Sequence, residues 1–427
     1  MDIVTLYQKF KESKGICTDN RSVQKGQIFL ALKGDNFNGN NFASQAIADG
    51  AAYAIVDEEV GEGEQFIIVE NALATLQALA KYHRQQFSIP VIALTGSNGK
   101  TTTKELVATV LEKKYKVHYT KGNLNNHIGI PLTLLEMPRD TEIAVIEMGA
   151  NHQREIAGYC EYVLPNYGLI TNIGKAHLEG FGGIEGVLKG KTELYQYIGT
   201  HGGKLFVSDI SQKLLDKSAE FVDKSNLVFY GEKTISLVVG ELLPSEECLM
   251  FKWKTNEIKT KLVGDYNIEN ALSAICIGVY FDVPEIAICE ALAAYSPTNN
   301  RSQMIVYKGN KFVMDAYNAN PSSLTVALQN FDKLDAVSKM VIIGEMMELG
   351  EYSKAEHQKI VQQVRDMELE KRIFIGDGFS FLKEDNAVLY FENTQALKSW
   401  FDMQAFSNKT ILLKGSRKNA LENLLKD

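Results

Sequence analysis

The chain has 427 residues, of which 45% are hydrophobic and 23% are charged, and its formal net charge is −8. A chain of this length exceeds one ordinary hydrophobic core, so we expect two or three globular domains and little disorder. The acidic balance offers no polybasic surface, which argues against a nucleic-acid partner.

The cysteines and the N-terminus indicate the compartment. The five cysteines are widely spaced and include no Cys-x-x-Cys pair, which favours free, buried thiols over a metal or redox site. The first residues contain no apolar core of signal-peptide length, and no run reaches the ~18 apolar residues of a membrane span. We therefore expect a cytoplasmic protein without a membrane span.

The predicted elements form three groups along the chain. In residues 1–88, strand-like runs at 26–32 and 52–56 precede an apolar helical run through Leu73, Leu76, Leu79 and Ala80. After Pro90, strand-like runs at 91–94, 143–147 and 168–172 alternate with helical stretches, which is typical of a parallel sheet built from βαβ units.

The pattern changes twice more towards the C-terminus. Short runs within 235–264 predict an antiparallel meander, which we assign to the second domain. A new βα series follows, with strands at 312–315, 340–344, 372–376 and 410–414. The sequence thus predicts an α/β protein with domains at 1–88, 89–297 and 298–427.

A glycine-rich loop stands between the run 91–94 and an amphipathic helix at 105–111. It consists of Thr95, Gly96, Ser97, Asn98, Gly99, Lys100, Thr101 and Thr102. Such a loop directs backbone N–H groups at phosphates, while Lys100 can neutralise them and a Thr101 or Thr102 hydroxyl can bind Mg²⁺. Leu94 occupies the place of the usual first glycine, and a purely structural turn is the alternative, but the flanking strand and helix favour a nucleotide site.

Two further residues are candidates for a metal site. Glu147 ends a strand next to the loop's strand, where a carboxylate can bind Mg²⁺, although a solvated acid at a strand end is the alternative. His177 follows another strand. A single histidine of this kind is more often a structural hydrogen-bonding group than a ligand, so its companions must decide its role.

Lys191 lies on a helical apolar stripe formed by Ile184, Val187, Leu188, Leu194, Tyr195 and Ile198. Burial there would lower its pKa and leave a neutral amine that can react with CO₂ to form a carbamate, an anionic oxygen ligand. The alternative is a lysine whose ammonium reaches the surface from the stripe.

In order and spacing, these motifs resemble the Mur ligase family. The resemblance covers nearly the whole chain, through 95–102, 147–149, 172–177, Lys191, 267–271, Arg301, 315–321 and 414–417. It implies an N-terminal UDP-sugar-binding domain, a central P-loop ATPase domain with a parallel sheet, and a C-terminal Rossmann-like ligase domain. It also implies an ATP-dependent ligase that joins a carboxylate to an amine and releases ADP and phosphate.

The resemblance implies roles for the residues of the ATP site. The loop from Thr95 to Thr102 would hold ATP, with Lys100, His177 and Lys191 serving catalysis. Thr101, Glu147, His177 and a carbamylated Lys191 would hold Mg²⁺. Asn270, Arg301 and Asp315 would bind adenosine, although Asn267 and Asn270 could instead cap the helix that follows Gly264.

Segments 121–131, 315–321 and 344–350 are most similar to family members that add D-alanyl-D-alanine to UDP-N-acetylmuramoyl-tripeptide through an acyl phosphate, in peptidoglycan precursor synthesis. The implied substrate-binding residues are Asn123, Asn125, Asn126, Asn318, Asn320, Lys414 and Arg417, with Thr18, Asn20 and Arg21 for the uridine nucleotide. Asn20 replaces the family's usual serine, and 37–42 also departs from the family pattern. Without the resemblance, a solvated loop at Lys414 and Arg417 is an equal alternative.

Two other functions remain open from the sequence. One is a related ligase that adds a single amino acid, or a folate-type glutamate ligase, since these share the ATP site. The other is a P-loop switch protein that uses ATP without making a bond. We expect a monomer, and the diamino acid at the tripeptide's third position is left open.

Overall fold

The computed structural model describes residues 2–245, 248–297 and 301–426. Within these ranges the strands form sheets of four, nine and six strands and a two-stranded ribbon. Helices accompany each of the three larger sheets, so the predicted α/β architecture is confirmed. The expected start of the third domain, residue 298, lies outside the described residues, and the domain boundaries stay predictions.

The N-terminal part contains the elements α1 (Ile3–Glu12), β1 (Ile16–Cys17), β2 (Ile28–Leu30), β3 (Lys33–Gly34), β4 (Phe37–Asn38), α2 (Ala43–Ala48), β5 (Tyr53–Val56), β6 (Phe66–Ile68) and α3 (Ala72–Arg84). It is built on a parallel sheet in the order β1-β2-β5-β6. The ribbon is the antiparallel pair β3–β4. The predicted helical stripe is the buried face of α3, where Leu76, Leu79 and Ala80 are inaccessible to solvent.

The central part holds the glycine-rich loop. Its elements are β7 (Val91–Thr95), α4 (Lys100–Leu111), β8 (Val117–Tyr119), α5 (Gly129–Leu135), β9 (Ile143–Glu147), α6 (Glu155–Val163), β10 (Tyr167–Ile170), α7 (Leu178–Phe181), α8 (Ile184–Thr200), β11 (Lys204–Ser208), α9 (Gln212–Phe221), β12 (Leu227–Gly231), β13 (Val238–Leu243), β14 (Met250–Trp253), β15 (Asn256–Lys259), α10 (Ile268–Tyr280) and α11 (Glu285–Ala294). The sheet order is β15-β14-β13-β12-β11-β10-β7-β9-β8.

Strand β7 lies between β9 and β10 and runs parallel to both. Leu94 is in register with Glu147, and Thr95 with Ile170, so the carboxyl ends of the three strands share one edge. The predicted meander exists as antiparallel β13-β14-β15, but it extends this same sheet because β13 also pairs with β12. The edge formed by the carboxyl ends of β7, β9 and β10 is where an open α/β sheet binds its ligand.

The third part contains the elements β16 (Gln303–Tyr307), β17 (Asn310–Asp315), α12 (Pro321–Lys333), β18 (Lys339–Gly344), α13 (Ser353–Arg365), β19 (Lys371–Ile375), β20 (Leu389–Phe391), α14 (Thr394–Asp402) and β21 (Thr410–Lys414). Its Rossmann-like sheet has the order β16-β17-β21-β18-β19-β20, in which β16 and β17 are antiparallel and the other neighbours are parallel. Asp315 and Lys414 are register partners at the carboxyl ends of β17 and β21.

Two expectations from composition can be compared with the fold. All five cysteines are free, but Cys248 and Cys289 are partly exposed, so the expectation of buried thiols is correct only for Cys17, Cys160 and Cys276. Among the described residues, no helix combines the length and the apolar character needed to cross a bilayer.

Candidate active site

A cavity of 690 Å³ lies between the carboxyl edge of the nine-stranded sheet and the third part of the chain. The predicted residues that line it are Ser97, Asn98, Gly99, Lys100, Thr101, Thr102, Asn125, Asn126, Glu147, His177, Asn270, Arg301, Asp315, Asn318, Asn320 and Lys414. Folding thus gathers residues that are separated by more than 300 positions in the sequence.

The glycine-rich loop turns directly into α4, which begins at Lys100. Gly99 has a φ of +76°, a left-handed conformation that favours glycine. At Gly96, a Cβ atom would lie 2.0 Å from the Thr171 hydroxyl oxygen, so only glycine fits between the loop and the end of β10. The loop amides therefore open onto the cavity at a helix N-terminus, which is an anion-binding geometry.

The Lys100 ammonium folds back over the loop. Its Nζ donates to the Gly96 carbonyl at 2.7 Å and to the Ser97 carbonyl at 3.2 Å. Burial lowers the pKa of Lys100 to about 8, while the Glu147 carboxylate opposes the shift. A phosphate at this position would stabilise the charged ammonium.

The segment after β10 holds the loop in place, a role that the sequence did not reveal. Thr171 Oγ1 donates to the Asn98 carbonyl at 2.6 Å, and the Asn172 side chain accepts from the Asn98 amide at 3.0 Å. Ser97 Oγ accepts from the Gly174 amide at 2.9 Å. These contacts join residues more than 70 positions apart, so no local pattern could have predicted them.

Glu147 is 1% exposed, so the alternative of a solvated strand-end acid is wrong. Its Oε1 accepts from Thr101 Oγ1 at 3.1 Å and from Asn125 Nδ2 at 2.7 Å. Its Oε2 is buried without a hydrogen-bond partner among the described residues. A buried, half-satisfied carboxylate beside a threonine hydroxyl fits a Mg²⁺ ion, which is usually bound by one or two carboxylates together with phosphates and water.

Lys191 is 1% exposed within α8, so the alternative that its ammonium reaches the surface is wrong. Its Nζ donates to the Ala150 carbonyl at 2.9 Å and lies 5.0 Å from the centre of the Phe181 ring. Burial lowers the pKa of Lys191 well below its ordinary value, and the charge of Lys100 adds to this effect. Ala150 lines the cavity, and Lys191 lies directly behind it.

His177 lines the cavity just ahead of α7, in a left-handed backbone conformation with a φ of +52°. Its Nδ1 lies against the carboxylate of Glu348, which belongs to the third part of the chain. Glu348 was missed in the sequence, although it lies in the segment 344–350 that supported the family resemblance. Among the described residues, no three acidic, histidine or cysteine side chains are grouped closely enough to hold a metal ion.

Asn267 stands at the N-cap position of α10 and Asn270 within its first turn, but neither side chain makes a capping hydrogen bond, so the capping alternative is wrong. Asn270 Oδ1 accepts from Thr103 Oγ1 at 3.0 Å, and its Nδ2 donates to Asn267 Oδ1 at 2.9 Å. The pair thus links α10 to the first turn of α4. The Arg301 guanidinium stacks 3.7 Å from the centre of the Tyr317 ring, with its Nε buried and unpaired in the described part of the chain.

The third part contributes a buried ion pair to the cavity. Lys414 donates to the Asp315 carboxylate, and its side chain is 2% exposed, so a solvated loop is the wrong description of Lys414. Arg417 differs, because its side chain is 65% exposed and pairs with Glu422 at 2.8 Å. Arg417 and Asn123 line a second cavity of 520 Å³, which shares Thr101 and Arg301 with the first.

Asparagine side chains make local and long-range contacts at the cavity wall. Asn320 caps α12 and also donates to Asn98 Oδ1 at 2.7 Å, which connects the third part to the glycine-rich loop. Asn318 accepts from the Ala319 amide at 2.9 Å. Asn126 accepts from the Ile128 and Gly129 amides where α5 begins. The side chains of these three asparagines therefore also form hydrogen bonds within the protein.

The three uridine candidates lie apart from both cavities. Thr18, Asn20 and Arg21 belong to the N-terminal part and line neither one. The Arg21 side chain is 83% exposed and forms an ion pair with Asp19 at 2.7 Å. A substrate that reaches both regions would have to be long.

A phosphate-binding loop, a buried carboxylate and a second α/β layer around one cavity define a nucleotide-using enzyme of several domains. Family models match the chain as the Mur ligase family catalytic domain over 12–92, the Mur ligase middle domain over 94–278 and the Mur ligase glutamate ligase domain over 300–417. The chain belongs to the Mur ligase family. It is accordingly an ATP-dependent, amide-bond-forming ligase.

Individual relatives resemble the whole chain. The UDP-N-acetylmuramoyl-tripeptide--D-alanyl-D-alanine ligase of Bacillus subtilis is 33% identical over 97% of this chain and 92% of its own length. The Escherichia coli ligase of the same name is 32% identical over 96% and 92%. A crystal structure of MurF from Acinetobacter baumannii superposes with a TM-score of 0.87 at 29% identity, covering 99% of this chain and 97% of that chain.

A fourth comparison shares the fold. MurF ligase from Thermotoga maritima, solved in complex with ADP, has a TM-score of 0.85 at 24% identity and covers 97% of this chain and 96% of its own. The three-domain Mur ligase fold expected from the sequence is therefore confirmed.

Proposed function

We propose that the chain joins D-alanyl-D-alanine to the terminal carboxylate of UDP-N-acetylmuramoyl-tripeptide at the expense of ATP, in peptidoglycan precursor synthesis. The observation that carries this proposal is the similarity, across 97% of the chain, to a ligase of that name. The cavity supports it, because residues of the glycine-rich loop and of the third domain line the same space.

A carboxylate must be activated before an amine can displace one of its oxygens. In the proposed reaction, a carboxylate oxygen of the tripeptide attacks the γ-phosphorus of ATP, and ADP leaves. The dipeptide amine then attacks the acyl-phosphate carbon, phosphate leaves, and the amine loses a proton. Catalysis by this chain comes from positioning and charge neutralisation, since neither step needs a protein nucleophile.

The residues of the loop supply most of this stabilisation. The amides at the start of α4 bind phosphate oxygens, and Lys100 exchanges its two loop carbonyl partners for the terminal phosphates. Glu147, Thr101 and His177 are the proposed metal-binding groups, and bound Mg²⁺ would neutralise phosphate charge. Asn270, Arg301 and Asp315 are proposed to hold adenosine.

Lys191 is proposed to act as a carbamate. Its buried amine is the form that adds to CO₂, making an N–C bond and releasing one proton, and the product presents anionic oxygens towards the metal site. Lys191→Ala should nearly abolish ligation while the protein stays folded and binds ATP. Unchanged turnover would reject the role, and a ¹³C NMR carbamate signal with ¹³C-bicarbonate, absent in Lys191→Ala, tests the modification directly.

The remaining polar residues are proposed to bind the two peptides and the uridine nucleotide. Asn123, Asn125, Asn126, Asn318, Asn320, Lys414 and Arg417 are assigned to the peptide substrates, and Thr18, Asn20 and Arg21 to the uridine nucleotide. We propose a cytoplasmic monomer, because the free cysteines suit a reducing compartment and residues of one chain line the cavity. Light scattering at working concentration checks the oligomeric state.

The decisive experiment measures phosphate release with UDP-N-acetylmuramoyl-tripeptide, with and without D-alanyl-D-alanine, and detects the product by mass spectrometry. We expect release to require both substrates and the product to carry one new amide. Release with a single amino acid or with a folate would favour the alternative ligases. ATP turnover without a new amide would favour a switch protein.

A further inference from the structure

Glu348 contacts the segment that carries His177 through its side chain and through its backbone. It lies in the loop between β18 and α13, and its carboxylate lies against Nδ1 of His177. Its backbone carbonyl also accepts from the Glu179 amide at 3.3 Å. Glu348, a residue of the third domain, thus contacts the central domain at both His177 and Glu179.

Both residues of this contact have unusual backbones. His177 has a φ of +52° and Glu348 a φ of +59°, in the left-handed region that residues with a Cβ atom seldom adopt. Gly350, with a φ of +52°, packs so closely that a Cβ atom would lie 3.2 Å from the Glu179 Cβ. Such conformations persist where the surroundings enforce them, and they cluster at functional sites.

The third part holds the same segment at two further points. The Ser322 hydroxyl accepts from the Lys175 amide at 2.8 Å, and the Lys175 ammonium donates to Glu356 Oε1 at 2.8 Å. Gly174, one residue earlier, is hydrogen-bonded to Ser97 of the glycine-rich loop. The position of His177 is therefore tied to the third part and to the phosphate site together.

The contact also decides which ring nitrogen is available. With the Glu348 carboxylate against the Nδ1 side of the ring, Nε2 is the nitrogen that remains available to bind a metal ion. Carboxylate partners of this kind orient metal-binding histidines and increase their basicity.

We infer that Glu348 is a positioning residue, through which packing of the third domain orients His177 Nε2 for the metal ion. This inference rests on the metal role proposed above for His177. Glu348 itself need not touch the metal or the substrates. The metal site is then complete only when the third domain lies against the central one.

The test uses the full chain with ADP and Mn²⁺ in place of Mg²⁺, and measures free Mn²⁺ by electron paramagnetic resonance. We expect Glu348→Ala and His177→Ala each to weaken Mn²⁺ binding by about tenfold or more, with a smaller loss for Glu348→Gln. Glu351→Gln is the matched control, since Glu351 is an exposed acid in the same loop, and it should bind as the wild type does.

A second measurement separates positioning from general stability. The chain has seven histidines, so ¹⁵N-histidine labelling gives few signals, and His177 is assigned by its loss in His177→Ala. We expect the ring ¹⁵N shifts of His177 to change in Glu348→Ala and to stay as in the wild type in Glu351→Gln. Should Glu348→Ala fail to fold, Glu348→Gln carries both measurements.

The outcomes distinguish the two proposals. If His177→Ala binds Mn²⁺ as the wild type does, the metal role of His177 is refuted, and so is the positioning role of Glu348 that depends on it. If His177→Ala weakens binding but the Glu348 variants do not, only the positioning role is overturned. Unchanged ¹⁵N signals in Glu348→Ala would also overturn it.

Discussion

We predict that removing Asp315 and removing Lys414 from their ion pair will lower the unfolding free energy by different amounts. Lys414 is 2% exposed and Asp315 is 18% exposed, so the ammonium is the more deeply buried partner. Asp315→Leu leaves that ammonium buried and unpaired, which should cost about 3–5 kcal/mol of unfolding free energy. Lys414→Met leaves a carboxylate that reaches the cavity, and we expect a smaller loss of about 1–3 kcal/mol.

The double variant Asp315→Leu/Lys414→Met should be more stable than the sum of the single effects implies. It removes both charges and retains apolar volume, so the two losses should not add. We expect a coupling free energy of about 2–3 kcal/mol between the positions.

The assay needs a reporter confined to the third sheet, because a chain of several domains need not unfold in one step. The chain has two tryptophans, and Trp400 packs in the third part with ring centres 5.4 Å from Phe391 and 5.8 Å from Phe406. A Trp253→Phe background leaves Trp400 alone to report urea unfolding. Equal losses for the two single variants, or strictly additive losses in the double variant, would refute the reasoning.

Four further predictions concern the loop and its contacts. Because burial lowers the pKa of Lys100 to about 8 and a bound phosphate raises it, ADP binding at pH 8 should take up about half a proton. Calorimetry in buffers of different ionisation enthalpy measures this uptake, and a buffer-independent heat contradicts it. Without nucleotide, the lowered pKa means that the unfolded chain binds more protons between pH 8 and 10.5, so this group makes the unfolding free energy rise across that window. Gly96→Ala should abolish nucleotide binding, since its Cβ would lie 2.0 Å from Thr171 Oγ1, and fluorescent ATP-analogue titration tests this. Asn320→Ala and Asn393→Ala each remove a helix cap worth about 1 kcal/mol, but only Asn320 also donates to Asn98, so only Asn320→Ala should weaken nucleotide affinity. Equal affinities for ADP in both variants would argue against that link.

Local sequence patterns predicted the glycine-rich loop and the apolar helical stripe that carries Lys191, but the family resemblance was needed to favour burial of Lys191 itself. The loop could be predicted because the strand, the glycines and the helix are contiguous in the sequence. Gly96 and Gly99 both have a positive φ, which is a local property of the backbone. Helical periodicity located the stripe correctly, since Val187, Leu194 and Ile198 are inaccessible to solvent.

Long-range contacts explain the corrections. Asn270 sits where a helix cap is plausible, but its side chain meets Thr103 across 167 residues. A solvated loop was an equal alternative for Lys414 without the resemblance, but strand pairing places Lys414 beside Asp315, 99 residues away. Partners at such separations are chosen by packing, and no local pattern encodes them.

The sequence by itself therefore determined the α/β class, the nucleotide loop and the family, because these depend on contiguous motifs and on periodicity. Only the tertiary structure decided which polar groups meet. It placed Glu147 beside Thr101 and Asn125, and it brought Glu348 against His177. The physical reason is that the partners of a side chain, and its burial from solvent, depend on how whole sheets pack. This packing is a property of the entire chain.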